Sequence, residues 1–270
     1  MKLKTIVLSS LALILSLSLF ACASKKEGAS VLENIKSRGK LVVATCPNYA
    51  PFEFQTLVDG KNKVVGADIE LAQAIADEIG VDLELSSMSF DNVLSSLQSG
   101  RSDLALASLS VTEERQKVFD FSEPYYETQN SILIKQKEQE NYHQFSDFAG
   151  KKIAVLKGSI QEGLAKQQLK EAQVTPLPAT GEAVNELKAG KVDAVYMEGP
   201  VAAGFVAQNK DLAQAQVQLP ASDGASLAIA LKKEEQDLKA VVDKVVRRVK
   251  AKGDYDKYIQ KSIQLTAVSE

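Results

Sequence analysis

Ser108, Ser110 and Arg115 follow one another closely at the end of a short apolar run, Leu104 to Ala107. The run reads as a strand, the two serines fall where it ends, and Arg115 follows at the start of a predicted helix. A strand end that hands free backbone groups, hydroxyls and a guanidinium to one spot is suited to gripping a carboxylate. Arginine supplies a planar, always-charged fork that pairs bidentately with carboxylate oxygens. Taken alone, Arg115 reads as a surface arginine beside Glu113 and Glu114, because exposed charge is the ordinary case. Other chemistries find less support. The one histidine, His143, sits in a polar stretch expected to be exposed, with no nucleophile or zinc-ligand constellation around it. Lys157-Gly158-Ser159 is too short for a phosphate loop and lacks its glycine spacing. Glu53 and Glu198 could serve as acid or base. No metal or cofactor is expected.

The chain has 270 residues, 45% apolar and 25% charged, with a net charge of -3. That is ordinary globular composition, long enough for one large domain or two moderate ones, and no basic excess supports nucleic-acid binding. Residues 1–22 stand apart. Lys2 and Lys4 precede an apolar run from Ile6 to Phe20, which ends in Ala21-Cys22; this describes a secretory signal rather than a membrane span. Leu19-Phe20-Ala21-Cys22 resembles a lipobox, so Cys22 is expected to be lipidated after cleavage in front of it. Plain secretion is the alternative. A lipid tethers a protein without spanning the membrane, and no other run approaches the ~20 apolar residues a span needs. With Cys22 acylated, Cys46 is the one thiol left and no internal disulfide can form. Such a cysteine is either buried and inert or exposed and reactive.

The elements that must position the grip can be read in chain order. Residues 23–30 are small and charged and read as a tether. Leu41 to Ala44 is a first buried strand, followed by a loop stiffened by Pro47 and Pro51 and carrying Tyr49 and Phe52. Asp59-Gly60 signals a hairpin turn. Over residues 67–79, Ile69, Ala72, Ile75, Ala76 and Ile79 share one helical face, and Gly80 closes the helix. Leu83 to Leu85 is a second strand, Asp91 is expected to cap a helix that ends at Gly100, and the strand Leu104 to Ala107 comes third. Strand, helix, strand, helix, strand argues for an α/β lobe with parallel strands. After Tyr126 the pattern restarts. A strand at Ser131 to Lys135 precedes an exposed polar turn over Lys137 to Gln144. A strand at Lys152 to Leu156 leads to Ser159 and a helix from Gln161. Pro176 and Pro178 break the chain before a helix from Glu182 to Lys188 and a strand from Val192 to Met197. Finally Leu227 to Leu231 returns as a strand, and Leu238, Val241, Val242, Val245, Val246 and Val249 trace an amphipathic helix. The terminal segment is expected to pack on the first lobe. The domains are then 31–132 with 226–270 as lobe 1 and 133–225 as lobe 2, joined by two extended crossings that form a hinge. Ligand sites in open α/β sheets lie outside the carboxyl ends of strands, so both lobes would face one cleft.

Five blocks now carry a resemblance: Tyr49-Ala50-Pro51-Phe52-Glu53-Phe54, Gly66 through Ala72, Leu97-Gln98-Ser99-Gly100, Ser110 through Arg115, and Phe119 through Tyr125. Together, over roughly Leu32 to Ile259, they resemble the polar amino-acid binding proteins of ABC importers, the bacterial solute-binding protein family 3. The resemblance implies an α/β, two-lobed periplasmic-binding-protein-like fold of type II. It implies that Arg115 takes a ligand α-carboxylate, helped by the Ser110 backbone and by backbone N–H groups near Ser159 and Ile160, where a helix opens. The Ser108 carbonyl and Ser110 hydroxyl would face the α-ammonium. Glu198 stands where the family usually has an aspartate for that ammonium, and Tyr49 would stack over the ligand side chain. Cys46, Tyr49, Phe54 and Ala107 would set the preference. Cys46 replaces an acid that in several relatives reads a basic or amide side chain. That points away from lysine, arginine or histidine and toward a less charged or sulfur-containing ligand such as cystine, cysteine or glutathione; the plainer alternative is a small residue that makes room. The expected partners are a small-molecule amino acid, an ABC permease with its ATPase, and the membrane through the lipid, the protein acting as a monomer outside the cell. An enzyme on the same scaffold, dehydratase-like, is the competing class; a receptor sensor would need a membrane span and an output domain, and neither is read here.

Overall fold

The structure is a computed structural model that describes residues 30–220 and 224–266. The leader over 1–22, with Cys22, lies outside the described residues. In chain order the first half runs through α1 (Val31–Arg38), β1 (Lys40–Thr45), β2 (Asn48–Tyr49), β3 (Glu53–Val58), β4 (Lys61–Val65), α2 (Ala67–Ile79), β5 (Asp82–Ser87), α3 (Phe90–Gln98) and β6 (Leu104–Ala105). It continues with α4 (Glu113–Val118), β7 (Phe119–Phe121) and β8 (Tyr126–Glu127). The middle of the chain supplies β9 (Asn130–Lys135), two 3-10 turns over Gln136–Asn141 and Phe145–Phe148, β10 (Lys152–Leu156), α5 (Ile160–Gln168) and β11 (Gln173–Leu177). Then come α6 (Thr180–Ala189), β12 (Ala194–Glu198), α7 (Gly199–Gln208) and β13 (Leu212–Gln214). The return is β14 (Ser226–Leu227), β15 (Ala230–Lys232), α8 (Gln236–Ala251) and α9 (Asp254–Thr266).

These strands make two five-stranded sheets, ordered β5-β1-β6-β15-β7 and β11-β10-β12-β9-β13. In the first, β1 lies between parallel β5 and β6, while the returning β15 pairs antiparallel with β6 and β7. The second places β10 parallel to β11 and β12, with β9 antiparallel to β12 and β13. The two passages between them are β8 and β14, which pair with each other, Tyr126 opposite Leu227 and Glu127 opposite Ser226. All of this lies within one compact unit, Val31–Glu270.

Local chemistry explains the elements. Helix α2 buries Leu71, Ala72, Ile75 and Ala76, the apolar stripe of a 3.6-residue period. It ends at Gly80, whose left-handed φ of 82° lets its N–H reach the Ala76 carbonyl. At its start Gly66 has φ 137°, and a Cβ there would lie 2.0 Å from the Phe52 carbonyl oxygen, so no other residue fits. The β3–β4 hairpin turns on Asp59 and Gly60, with φ 52° and 72°, as a two-residue loop with both angles positive requires. Helix α8 buries Leu238, Val242, Val245, Val246 and Val249 against the core that also holds Leu41, Val43, Leu71 and Ile75.

Some boundaries differ from expectation. The strand before Ser108 is only Leu104–Ala105, because the chain turns sharply at Ser108, a non-glycine residue with φ 48°. Ser89, not Asp91, occupies the N-cap of α3, and Asp91 lies in its first turn. The polar turn after β9 buries Tyr142, stacked 4.6 Å from Phe148, though His143 beside it is exposed. Pro176 lies inside β11, which an edge strand tolerates. Helix α7 and the terminal helix α9 are additions to the expected elements. Among the described residues, no helix is long and apolar enough to cross a membrane, and no group of His, Cys, Asp or Glu could hold a metal ion.

Candidate functional site

Between the two sheets lies a narrow cavity whose empty space, open solvent at its mouth included, is about 320 Å³. Its walls come from the carboxyl ends of strands in both sheets, as open α/β architecture favours. Of the ten expected ligand residues, nine line it: Cys46, Tyr49, Ala107, Ser108, Ser110, Arg115, Ser159, Ile160 and Glu198. Phe54 does not, which corrects its expected place. Alternate residues of a strand point to opposite faces, and in β3 it is Glu53 that turns into the cavity. Phe90, Leu156 and Gln161 also line it.

Arg115 enters from α4, whose N-cap Thr112 accepts the Arg115 backbone N–H at 3.2 Å. Its guanidinium donates to the Ser110 carbonyl at 2.9 Å and to the Gly158 carbonyl, from the other lobe, at 3.4 Å. It lies 5.8 Å over the Phe90 ring, a cation–π contact that leaves the fork in the plane to pair with an anion. Burial pushes its pKa down to about 10, with Glu114 and Glu198 opposing, so it stays charged at neutral pH. Facing it, Ser159 caps α5. The Ser159 hydroxyl accepts the Glu162 N–H at 3.3 Å, and the Ser159 N–H donates to the Leu156 carbonyl at 3.1 Å. The helix opening therefore offers the N–H groups of Ile160 and Gln161, and not that of Ser159, to an anion. A carboxylate between Arg115 and this helix start meets positive potential from both lobes.

The rest of the cavity is acidic. Glu198 ends β12, is 3% exposed, and its Oε2 has no hydrogen-bond partner among the described residues. Burial, and after it the Asp68 charge, pushes its pKa up to about 8, while Thr128 and Arg115 pull it back. Such an orphaned buried oxygen is costly unless a donor arrives. Its own backbone N–H donates to the Tyr49 hydroxyl at 3.3 Å, a direct contact between lobes. Glu53, 1% exposed, accepts from the Ser108 hydroxyl at 3.1 Å, and burial raises its pKa well above the usual carboxylate range, with Asp68 adding to the rise. Cys46 is buried and free, accepting from Asn48 Nδ2 at 3.2 Å; burial pushes its thiol up to about 11, so it is neutral.

Behind this wall Asp68, in the first turn of α2, is fully buried. It accepts from the Ser108 N–H at 2.9 Å, the Tyr125 hydroxyl at 3.0 Å and the Tyr255 hydroxyl at 2.5 Å. These donors hold the left-handed Ser108 in place. Sequence reasoning named neither Asp68 nor Gln161 and Phe90 as parts of the site. A place in the first turn after the Ser159 cap and the first residue of the helix that follows β5 were legible signals for Gln161 and Phe90. Asp68 had the weaker signal of an acid in the first turn of an otherwise apolar-faced helix.

Residues 41–264 match the bacterial extracellular solute-binding proteins, family 3. The probable histidine-binding protein of Campylobacter jejuni is 32% identical over 91% of this chain and 93% of its own length. The arginine-binding extracellular protein ArtP of Bacillus subtilis is 30% identical over 92% of this chain and 93% of its own. Among solved structures, an amino acid ABC transporter substrate-binding protein from Streptococcus pneumoniae bound to L-arginine superposes with a TM-score of 0.86. It is 55% identical, covering 88% of this chain and 99% of that one.

Proposed function

The chain belongs to the bacterial extracellular solute-binding proteins, family 3, and from that premise we propose that it captures a basic L-amino acid, of the L-arginine kind, and delivers it to an ABC permease. The observation that carries the ligand class is Glu53. The thiol at position 46 argued against a basic side chain, but β3 brings Glu53 into the same cavity and supplies the acid that Cys46 lacks. One cavity then holds three charge-matched stations. Arg115, with the N–H groups of Ile160 and Gln161, takes the α-carboxylate; Glu198 with the Ser108 and Ser110 groups takes the α-ammonium; Glu53 takes the side-chain cation, under Tyr49 and Phe90. The S. pneumoniae structure bound to L-arginine supports the same reading.

The lobes are built on the two sheets, and because β9 from Asn130 pairs entirely within the second sheet the first crossing comes before the expected boundary at 132/133; they rotate about the paired crossings β8 and β14, and a ligand touching both favours the closed form. The protein works as an exported monomer, tethered by lipid on Cys22, beside a permease powered by a cytoplasmic ATPase. The ligand is bound and released unchanged. Calorimetric titration with arginine, lysine, histidine, cystine and glutathione tests the assignment. Tight binding of arginine or lysine is expected; binding of cystine or glutathione alone overturns the basic-ligand reading in favour of the sulfur one. Conversion of ligand during long incubation would favour an enzyme. Labelling with a palmitate analogue, lost in Cys22→Ala, tests the anchor.

A further inference from the structure

We infer that the ligand's side-chain cation enters in exchange for a proton held by the Glu53–Asp68 pair, so that capture of a basic amino acid releases a proton and capture of a neutral one at this station does not. The inference rests on the basic-ligand reading above. Both acids are held by one residue: Ser108 donates its N–H to Asp68 at 2.9 Å and its hydroxyl to Glu53 at 3.1 Å. Both are buried, at 0% and 1% exposure. Two carboxylates this close in a dry site cannot both stay ionised without a cation between them.

The hydrogen bonds decide which acid keeps the proton. Asp68 accepts from Ser108, Tyr125 and Tyr255, a donor set that stabilises a carboxylate. For Glu53 one donor is seen among the described residues, the Ser108 hydroxyl at 3.1 Å. Glu53 is thus the protonated member, with the pair titrating as a unit. The other groups facing Glu53 do not change this. Cys46 at the end of β1 and Tyr49 on β2 are held neutral by burial, as are Tyr125 and Tyr255. Glu198 at the end of β12 opposes Glu53 ionisation whenever it is charged; with its pKa pushed up to about 8 it is mostly protonated at pH 7, and the proton it gives up to an α-ammonium is common to arginine and citrulline. Arg115 lines the same cavity, but its charge is directed at the carboxylate station. Glu53, Asp68, Ser108, Tyr125 and Tyr255 all belong to the half of the chain around the first sheet. The hydrogen bonds of the pair therefore survive opening of the lobes, whereas Glu198 sits on the second sheet and owes its burial to the first-lobe residues that face it, such as Tyr49.

The balance is simple. The Glu53 O–H bond breaks, the proton leaves to buffer, and the carboxylate pairs with the ligand's cation; nothing is oxidised or reduced. Since the bound state holds fewer protons, affinity for a basic ligand rises with pH through the titration of Glu53 in the empty cavity, with log K climbing by up to about one per pH unit.

The test is calorimetry of wild-type protein with L-arginine at pH 7 in buffers of different ionisation enthalpy, repeated with L-citrulline, its uncharged near-isostere. The slope of observed enthalpy on buffer enthalpy counts protons released. A larger release with arginine than with citrulline, abolished in Glu53→Gln, is the expected result. Equal slopes for the two ligands, or an unchanged arginine slope in Glu53→Gln, overturn the exchange and leave the basic-ligand reading standing. Failure of arginine to bind overturns both.

Discussion

Arg115→Ala tests the grip on which every proposed ligand depends. In the folded chain Arg115 bonds to two carbonyls, of Ser110 at 2.9 Å and Gly158 at 3.4 Å, and among the described residues no acid pairs with it directly. Its charge is desolvated, as the downward push on its pKa to about 10 records. Removing it from the ligand-free protein therefore costs little stability, since a poorly compensated charge goes with it. Removing it from the complex leaves a buried ligand carboxylate facing only the α5 helix start. Loss of one partner of a buried charge pair costs about 2–5 kcal/mol. At tenfold for each ~1.4 kcal/mol, Kd should rise by roughly 30- to 4,000-fold. Arg115→Lys keeps the charge but not the planar fork, and should fall between the two. Calorimetry gives the affinities, and a thermal melt without ligand checks the fold. An Arg115→Ala protein with an unchanged melt and a Kd within about threefold of wild type would refute the assignment of the carboxylate to Arg115, because uniform loss across ligands follows from the geometry.

Asp68→Ala strips three buried donors of their acceptor and should destabilise the fold by about 3 kcal/mol, lowering the melting temperature by roughly 6–12 °C; a shift under about 2 °C would mean the tyrosines find other partners. Glu78, held by Lys244 at 2.6 Å and by Arg248, has its pKa lowered to about 2. A depressed folded-state value contributes stability above the ordinary glutamate range that is lost as pH falls toward 2. Melts across pH 2–5 should therefore lose less in Glu78→Gln than in wild type, and parallel curves would discount the pair. Lys157 and Asp91 form an ion pair of 2.8 Å across the mouth of the cleft. Lys157→Ala should speed ligand release up to about fivefold, as befits an exposed pair worth ~0.2–1 kcal/mol, and the difference should vanish at high salt; stopped-flow release rates show it.

Much of the architecture was open to reading because it rests on local chemistry. The Asp59-Gly60 turn, the valines of α8 and the Gly80 stop of α2 follow from φ freedom, helical period and hydrophobic burial, and each formed where its residues indicated; the face expected from Ile69, Ala72, Ile75, Ala76 and Ile79 is turned slightly, so that Leu71 is buried while Ile69 and Ile79 are only half-buried. The residues of the proposed carboxylate station were legible for the same reason: a serine-ended strand, an arginine at a helix start and a second serine capping α5 are local signatures of groups that present donors. Boundaries drifted where tertiary contacts decided them. The strand expected to reach Ala107 stops at Ala105, because Asp68 pulls the Ser108 N–H out of the ladder.

The side-chain station is where sequence and structure part. The residue types alone pointed to an α/β chain with donors gathered around Arg115, a second lobe restarting the motif, and a lone thiol at position 46 once Cys22 is acylated. Reading that thiol as the arbiter of specificity pointed away from basic ligands. Only the tertiary structure shows that Glu53, not Phe54, turns into the cavity, that Asp68 stands behind it, and that Ser108 ties both acids together. The physical reason is that strand parity decides which of two neighbouring residues faces a ligand, and parity is set by the register of β3 with β2 and β4. A charge's partners, likewise, come from segments far apart in the chain, as Tyr255 does for Asp68 across 187 positions. Composition and spacing announce where donors gather; the fold decides which acids face them across the cavity.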